Sequence, residues 1–295
     1  MKRHMIISLF CAVVISAFAQ NTGTSTDDNQ QQFVPNTEPE IVFDDKSPFE
    51  NIYIPGPQDR SQNNILWKKT VWRMIDMREQ VNFPLYFPLQ ESNGRTNLFL
   101  TIFNLLKEGK VNAYQYIDTK EDFSDEYKLT FKEALDLTKI DVYDETTDED
   151  GNTVYDINEV DIPSAQVLKF YLKEVWYFDA MESSMKFKIE AIAPQLYYLN
   201  EDGLEQKAVL FWVPFDQLRP WLAKQPVVIN NKNSTSFISF DDLFQKRRFL
   251  GHIYKEDNLQ NRSLIDYCDT PMEVRSEQNR IENEIKNFEF DLWEY

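Results

Sequence analysis

Few residues in this sequence have the vocabulary of catalysis. The 295 residues include two histidines and two cysteines. His4 and Cys11 fall inside an apolar leader, which leaves His252 and Cys268. A Ser/His/Asp or Cys/His relay would have to be built on His252, and no motif accompanies it, so the lone histidine reads as structural. Phosphate loops need clustered glycines, whereas the chain has seven in all and neither a Gly-rich run nor an H-E-x-x-H pair. The acidic run at Asp148, Asp150 and Gly151 hints at a calcium loop. With Gly151 as the sixth position, Thr146 takes the first and Ile157 the twelfth, where Asp and a bidentate Glu are required. That frame fails, and a solvated hairpin tip is the better reading. Paired carboxylates could serve glycoside hydrolysis, but among 49 acidic residues some pair always looks suitable. These residues nominate no catalytic, metal or cofactor site.

What remains is a surface argument. "FQKRRF" places Arg247 and Arg248 as a basic island in a chain of formal net charge -18, and Lys68, Lys69 and Arg73 form another. Arginine and tryptophan are favoured at interface centres. Trp72, Arg73, Asp76, Arg247 and Arg248 are therefore candidate interface residues, against the plainer reading of solvated charge. The acidic balance disfavours nucleic acid, whose phosphates it would repel, and anionic membrane surfaces. With 42% hydrophobic and 14% aromatic residues, the chain has material for a sizeable core.

The elements that must position these residues follow from patterning. "MKRHMIISLFCAVVISAFAQ" has the basic start, short apolar run and Ala17-Phe18-Ala19 pattern of a secretory signal over 1–19. Phe10 before Cys11 argues against a lipoprotein, and Cys268 alone in the exported chain makes no internal disulfide. Residues 20–62 are polar and Pro-bearing and read as an extended arm. Residues 63–295 read as a globular α+β domain, or as two subdomains divided near 140–165. In "WKKTVWRMIDMREQVNFPLYFPL" the positions Trp67, Val71, Met74, Ile75 and Arg78 predict a helix, ended before Pro84. Its Trp72 side would be exposed, with Arg73 able to pair with Asp76. "TNLFLTIFNLLKEG" predicts a helix stopped by Gly109, and "SFDDLFQKRRFLG" one capped by Ser239 and stopped by Gly251. Between them come an Asp-Gly hairpin and a strand, "AQVLKFYLKEVWYFD", with Leu168, Phe170, Leu172, Trp176 and Phe178 on one face. Thr270-Pro271-Met272-Glu273 caps a C-terminal amphipathic helix with Val274, Ile281, Ile285, Phe288 and Leu292 in one stripe. The fold class is α+β, with mixed helices and antiparallel strands.

Four segments, "VWRMIDMREQVNFPLYFP", "LKFYLKEVWYFDAMESSMKFKIEAIAP", "SFDDLFQKRRFLGHIYKED" and "NFEFDLWEY", together resemble the GldN/PorN family of the type IX secretion and gliding motility machinery. They occur in that order from about Trp67 to the last residue. The resemblance implies a non-enzymatic structural subunit in a periplasmic ring-like complex, held at the outer membrane through a partner without inserting into the membrane. It implies an outer-membrane lipoprotein partner of the GldK/PorK type and contact with the periplasmic segment of a motor protein of the GldM/PorM type. It also implies a homo-oligomer within the ring, and carries over no catalytic residue or cofactor. An exported carbohydrate-binding or carbohydrate-hydrolysing protein remains the alternative.

Overall fold

A computed structural model describes residues 65–117, 121–140, 143–147, 153–158, 161–200, 202–229 and 237–293. The leader, the arm and the tip of the acidic hairpin lie outside these residues. The strands are β1 Ile65–Asp76, β2 Ala113–Gln115, β3 Lys128–Leu129, β4 Asp144–Thr147, β5 Thr153–Asp156 and β6 Val167–Asp179. They continue with β7 Ser184–Leu199, β8 Glu205–Val209, β9 Phe211–Pro214, β10 Pro226–Val228, β11 Phe237–Ser239 and β12 His252–Glu256. The helices are α1 Phe83–Tyr86, α2 Leu98–Lys107, α3 Phe131–Leu137, α4 Phe215–Leu222, α5 Phe240–Gln245 and α6 Pro271–Trp293. The class is α+β, as the pattern predicts.

Among the described residues the main sheet runs β12-β1-β6-β7-β9-β2-β3, with β8 also paired to β7. All of its pairings are antiparallel. The stretch from Trp67 that reads as a helix is instead the strand β1, next to the edge of this sheet. The reason is legible afterwards. Positions 67, 71 and 75 are four apart, a spacing that fits one helix face and one strand face equally well. Arg73 and Trp72 are buried on opposite faces, which hides the apolar/polar alternation of a half-exposed strand. Pro84 does not end a helix either: it lies in the first turn of α1.

One face of the sheet carries α2, α4 and α5 over the principal core, which includes Leu98, Phe103, Phe170, Leu172, Ile192, Phe211, Phe215 and Phe244. Helix α2 is built as its spacing predicts. Asn97 caps it by accepting from the Leu100 N–H at 2.8 Å. Gly109, at φ +66°, closes it with the paired Gly109→Leu106 and Lys110→Leu105 backbone bonds, a Schellman motif. The opposite face carries a smaller cluster of Trp72, Tyr114, Ala191, Ala193 and Trp212.

Helix α6 covers the β12-β1-β6 end of the sheet. Thr270 caps it through a 3.2 Å bond from the Glu273 N–H, and Glu273 accepts in return from the backbone of Asp269 and Thr270. Ile281 and Ile285 pack with Val71, Ile253 and Leu264 in a cluster of their own, and Phe288 stacks on Trp67 with centroids 4.7 Å apart. Leu292, the last of the predicted stripe, has no described side chain. Ion pairs frame this contact: Lys69 reaches Glu256 at 2.8 Å and Glu284 at 2.7 Å, and Arg280 reaches Glu256 at 2.5 Å. The Gln278 amide donates to the Ile253 carbonyl at 2.8 Å.

Ile281→Ala is expected to lower stability by about 2–5 kcal/mol, read as a shift in urea midpoint at unchanged slope. Burial alone would raise the Glu256 pKa, but Lys69 and Arg280 outweigh it and hold the carboxyl below its ordinary 4.5. The unfolded chain then takes up a proton at higher pH than the folded one. The contribution of Glu256 should be complete above pH 4.5 and lost as pH falls through the lower folded value. Glu256→Gln should flatten that acid limb of the urea-midpoint profile.

Candidate functional site

The site forms where the principal core meets the cluster under α6. On β6 the inward stripe Phe170, Leu172, Trp176 and Phe178 is interrupted by Glu174, which is fully buried. Three donors converge on its carboxylate. Arg73 Nε lies 3.4 Å from Oε2, Trp176 Nε1 3.2 Å from Oε2, and Arg247 Nη1 3.1 Å from Oε1. Arg73 comes from the neighbouring strand β1 and is itself 6% exposed. Its Nη1 also donates to the Gly251 carbonyl at 2.7 Å and to Glu282 of α6 at 3.1 Å.

Arg247 arrives by a different route. α5 begins as predicted, with Ser239 accepting from the Asp242 N–H at 3.1 Å, but Gly251 is not its stop. The closing bonds are Arg247→Phe244 and Arg248→Leu243, which puts Arg247 at the left-handed position, φ +49°, where glycine is usual. An L-residue there costs about 1–2 kcal/mol. What offsets it is the guanidinium, which lies 4.9, 4.8 and 5.3 Å from the ring centroids of Trp176, Phe187 and Phe249 while pairing with Glu174. Burial pulls the Arg247 pKa below the usual arginine value, opposed by the charge of Glu174.

Gly251 has a separate role. A Cβ there would sit 2.8 Å from Arg73 Cδ and 2.9 Å from Cγ, so only glycine lets the Arg73 stem pass beneath this turn. Buried Asn82 fixes the turn from the other side, donating to Asp76 and Leu250 carbonyls at 2.7 and 2.8 Å and accepting from the Leu250 N–H at 2.8 Å. Beside this cluster lies a cavity of about 310 Å³, walled by Arg73, Trp176, Arg247, Phe249, Glu282 and Lys286 among others.

A larger open groove of about 810 Å³ is walled by Phe83, Phe87, Pro88, Val228 and neighbours, without a carboxylate. The acidic residues of two further concavities, Glu256, Glu277 and Glu282, are each ion-paired to an arginine. These walls hold charge in place and set no open carboxylate pair across a gap of the kind hydrolysis requires.

Residues 60–294 match the family described as gliding motility associated protein GldN. The chain belongs to the GldN family. It is a component of the gliding motility and type IX secretion machinery, in a family of structural components not known as enzymes. No curated protein matches it. The match spans every described strand and the whole of α6, so the site above lies wholly inside the GldN region.

Within this GldN fold, the five residues nominated as an interface separate. Arg73 and Arg247 come together on Glu174. Trp72 is 5% exposed on the other face, with Lys255 4.5 Å from its ring, and so is no exposed aromatic. Asp76 does not pair with Arg73, because odd and even positions of a strand face apart. It binds Arg78 at 2.9 and 2.5 Å, and these bonds hold its carboxyl below the ordinary range. Arg248 is exposed. Glu174 was missed by sequence reasoning, although a signal existed: it is the one charged residue in phase with the apolar stripe of β6.

Glu174→Ala should destabilise the protein by about 3–5 kcal/mol, because it leaves buried Arg73 and half-buried Arg247 facing each other without their counter-charge. Urea denaturation monitored by tryptophan fluorescence reads this directly.

Proposed function

We propose that this chain is a non-enzymatic structural subunit of the type IX secretion and gliding machinery. It is exported by its leader to the periplasm and held at the outer membrane through an outer-membrane lipoprotein of the GldK/PorK type. Copies assemble with that partner into a ring-like complex, and a periplasmic segment of a GldM/PorM-type motor protein is a further contact. The observation that carries the reading is the family match over residues 60–294, which covers the sheet, its helices and the charged cluster together. The chemistry of the cluster supports it. Glu174 accepts from two guanidiniums and an indole, so its lone pairs are committed to holding elements together. Among the described residues no group of acidic, histidine and cysteine side chains could hold a metal ion, and no helix is long and apolar enough to cross a membrane. Of the nominated interface residues, Arg247 and Arg248 retain exposed surface and stay within the proposed contact region. Trp72 and Arg73 act from within the fold.

An affinity-tagged chain purified from detergent-solubilised outer membrane should bring down a lipoprotein in a complex far larger than the monomer. Recovery as a free monomer that shifts with added glycans would replace this reading with the carbohydrate-binding one.

A further inference from the structure

The Arg247 cavity and the acidic hairpin each lack what the other offers. Arg247 uses one nitrogen, Nη1, on Glu174. Its Nε and Nη2 have no acceptor among the described residues, although its side chain is 24% exposed and opens on a cavity of about 310 Å³. That cavity sits at the small end of the ~300–1,000 Å³ range of ligand sites, and its walls carry Arg73, Arg247 and Lys286 against Glu282. Counting Glu174 beneath the two arginines, the three cations there meet two carboxylates, which leaves a small positive excess in a chain with 49 acidic and 31 basic residues.

The opposite case is the hairpin β4-β5. It pairs with no other strand among those described, and its register sets Asp144 directly against Asp156. Both are exposed and neither has an ion pair among the described residues. Opposed like charges in a strand pair are destabilising, and a cation brought against them from outside would relieve this. On the same face Val154 is 41% exposed. The hairpin is nevertheless held firmly, because Tyr155 packs on Phe131 with centroids 5.3 Å apart.

We propose that the Asp144/Asp156 face of the hairpin in one copy of this chain docks over the Arg247–Lys286 cavity of a second copy. This rests on the ring reading above and names the contact within it. Two acidic copies repel at long range, and seating the acidic face of the hairpin against the basic concavity offsets that repulsion. Where the hairpin of one copy enters the cavity of the next without a reciprocal contact, the pairing is heterologous, and repetition generates a ring or an open filament rather than an isolated dimer.

Charge exchange tests the proposal. Asp144, Asp156 and Lys286 are all exposed, so their substitution leaves the core intact, which circular dichroism checks. In sedimentation velocity over a concentration series, Asp144→Lys/Asp156→Lys and, separately, Lys286→Glu should each weaken self-association by about tenfold or more. Combining all three should recover most of the loss. A wild-type chain that stays monomeric at every concentration overturns the proposal, as do single-sided variants that associate normally. Capture of the same variants in a full-size outer-membrane complex would then show that the structural-subunit reading stands while this contact does not.

Discussion

A carboxylate with no exposed surface has to be neutralised where it stands, and much of this molecule is arranged around that requirement. Glu174 sits in the middle of an apolar stripe on β6. Taking it out of water is tolerable only because two guanidiniums and an indole N–H converge on it. Two of the donors come from other parts of the chain, and the third, Trp176, is two residues along the same strand. Arg73 ties in β1 and, through Glu282, α6. Arg247 ties in the connection from α5 to β12. Trp176 serves as both donor and stacking surface. The principal core and the cluster under α6 therefore meet at a polar joint that accepts only one arrangement.

That joint explains features that look odd singly. A left-handed arginine at the end of α5 costs more than glycine would, yet glycine could not reach Glu174. Gly251 is required because a Cβ would occupy the path of Arg73. Asn82 is buried far from any chemistry because its amide fastens the turn that delivers both Arg247 and Gly251. A seam held by directional bonds fixes β1, β6, α6 and the α5–β12 turn in one arrangement.

Helix α6 follows the same logic at lower energy. Its composition is polar, and a helix on its own is marginal in water. Tertiary contact holds it: Ile281 and Ile285 in an apolar slot, Phe288 on Trp67, and a frame of ion pairs to Lys69 and Glu256. Partly buried pairs such as these add more to orientation than to stability. They choose the face that α6 presents to the sheet, and with it the position of Glu282 and Lys286 at the cavity.

Local signals decided what they physically control. The caps at Ser239 and Thr270, the stop at Gly109, the alternation of β6 and the hairpin at Asp144 were all legible, because each depends on a few neighbouring residues. The α+β class followed from them, and the ordered segments from Trp67 onward carried the GldN resemblance. Charge pattern also marked Arg73 and Arg247 as worth attention. It could not say that they share one carboxylate, because 101 and 73 residues separate them from Glu174 and only strand pairing and the α5–β12 turn bring them together. The largest misreading, a helix at Trp67, has the same origin. Spacings of four suit both periods, and a strand buried on both faces loses its alternation. The neighbours that bury it, β6, β12 and α6, begin only at Val167, His252 and Pro271, far along the chain from β1.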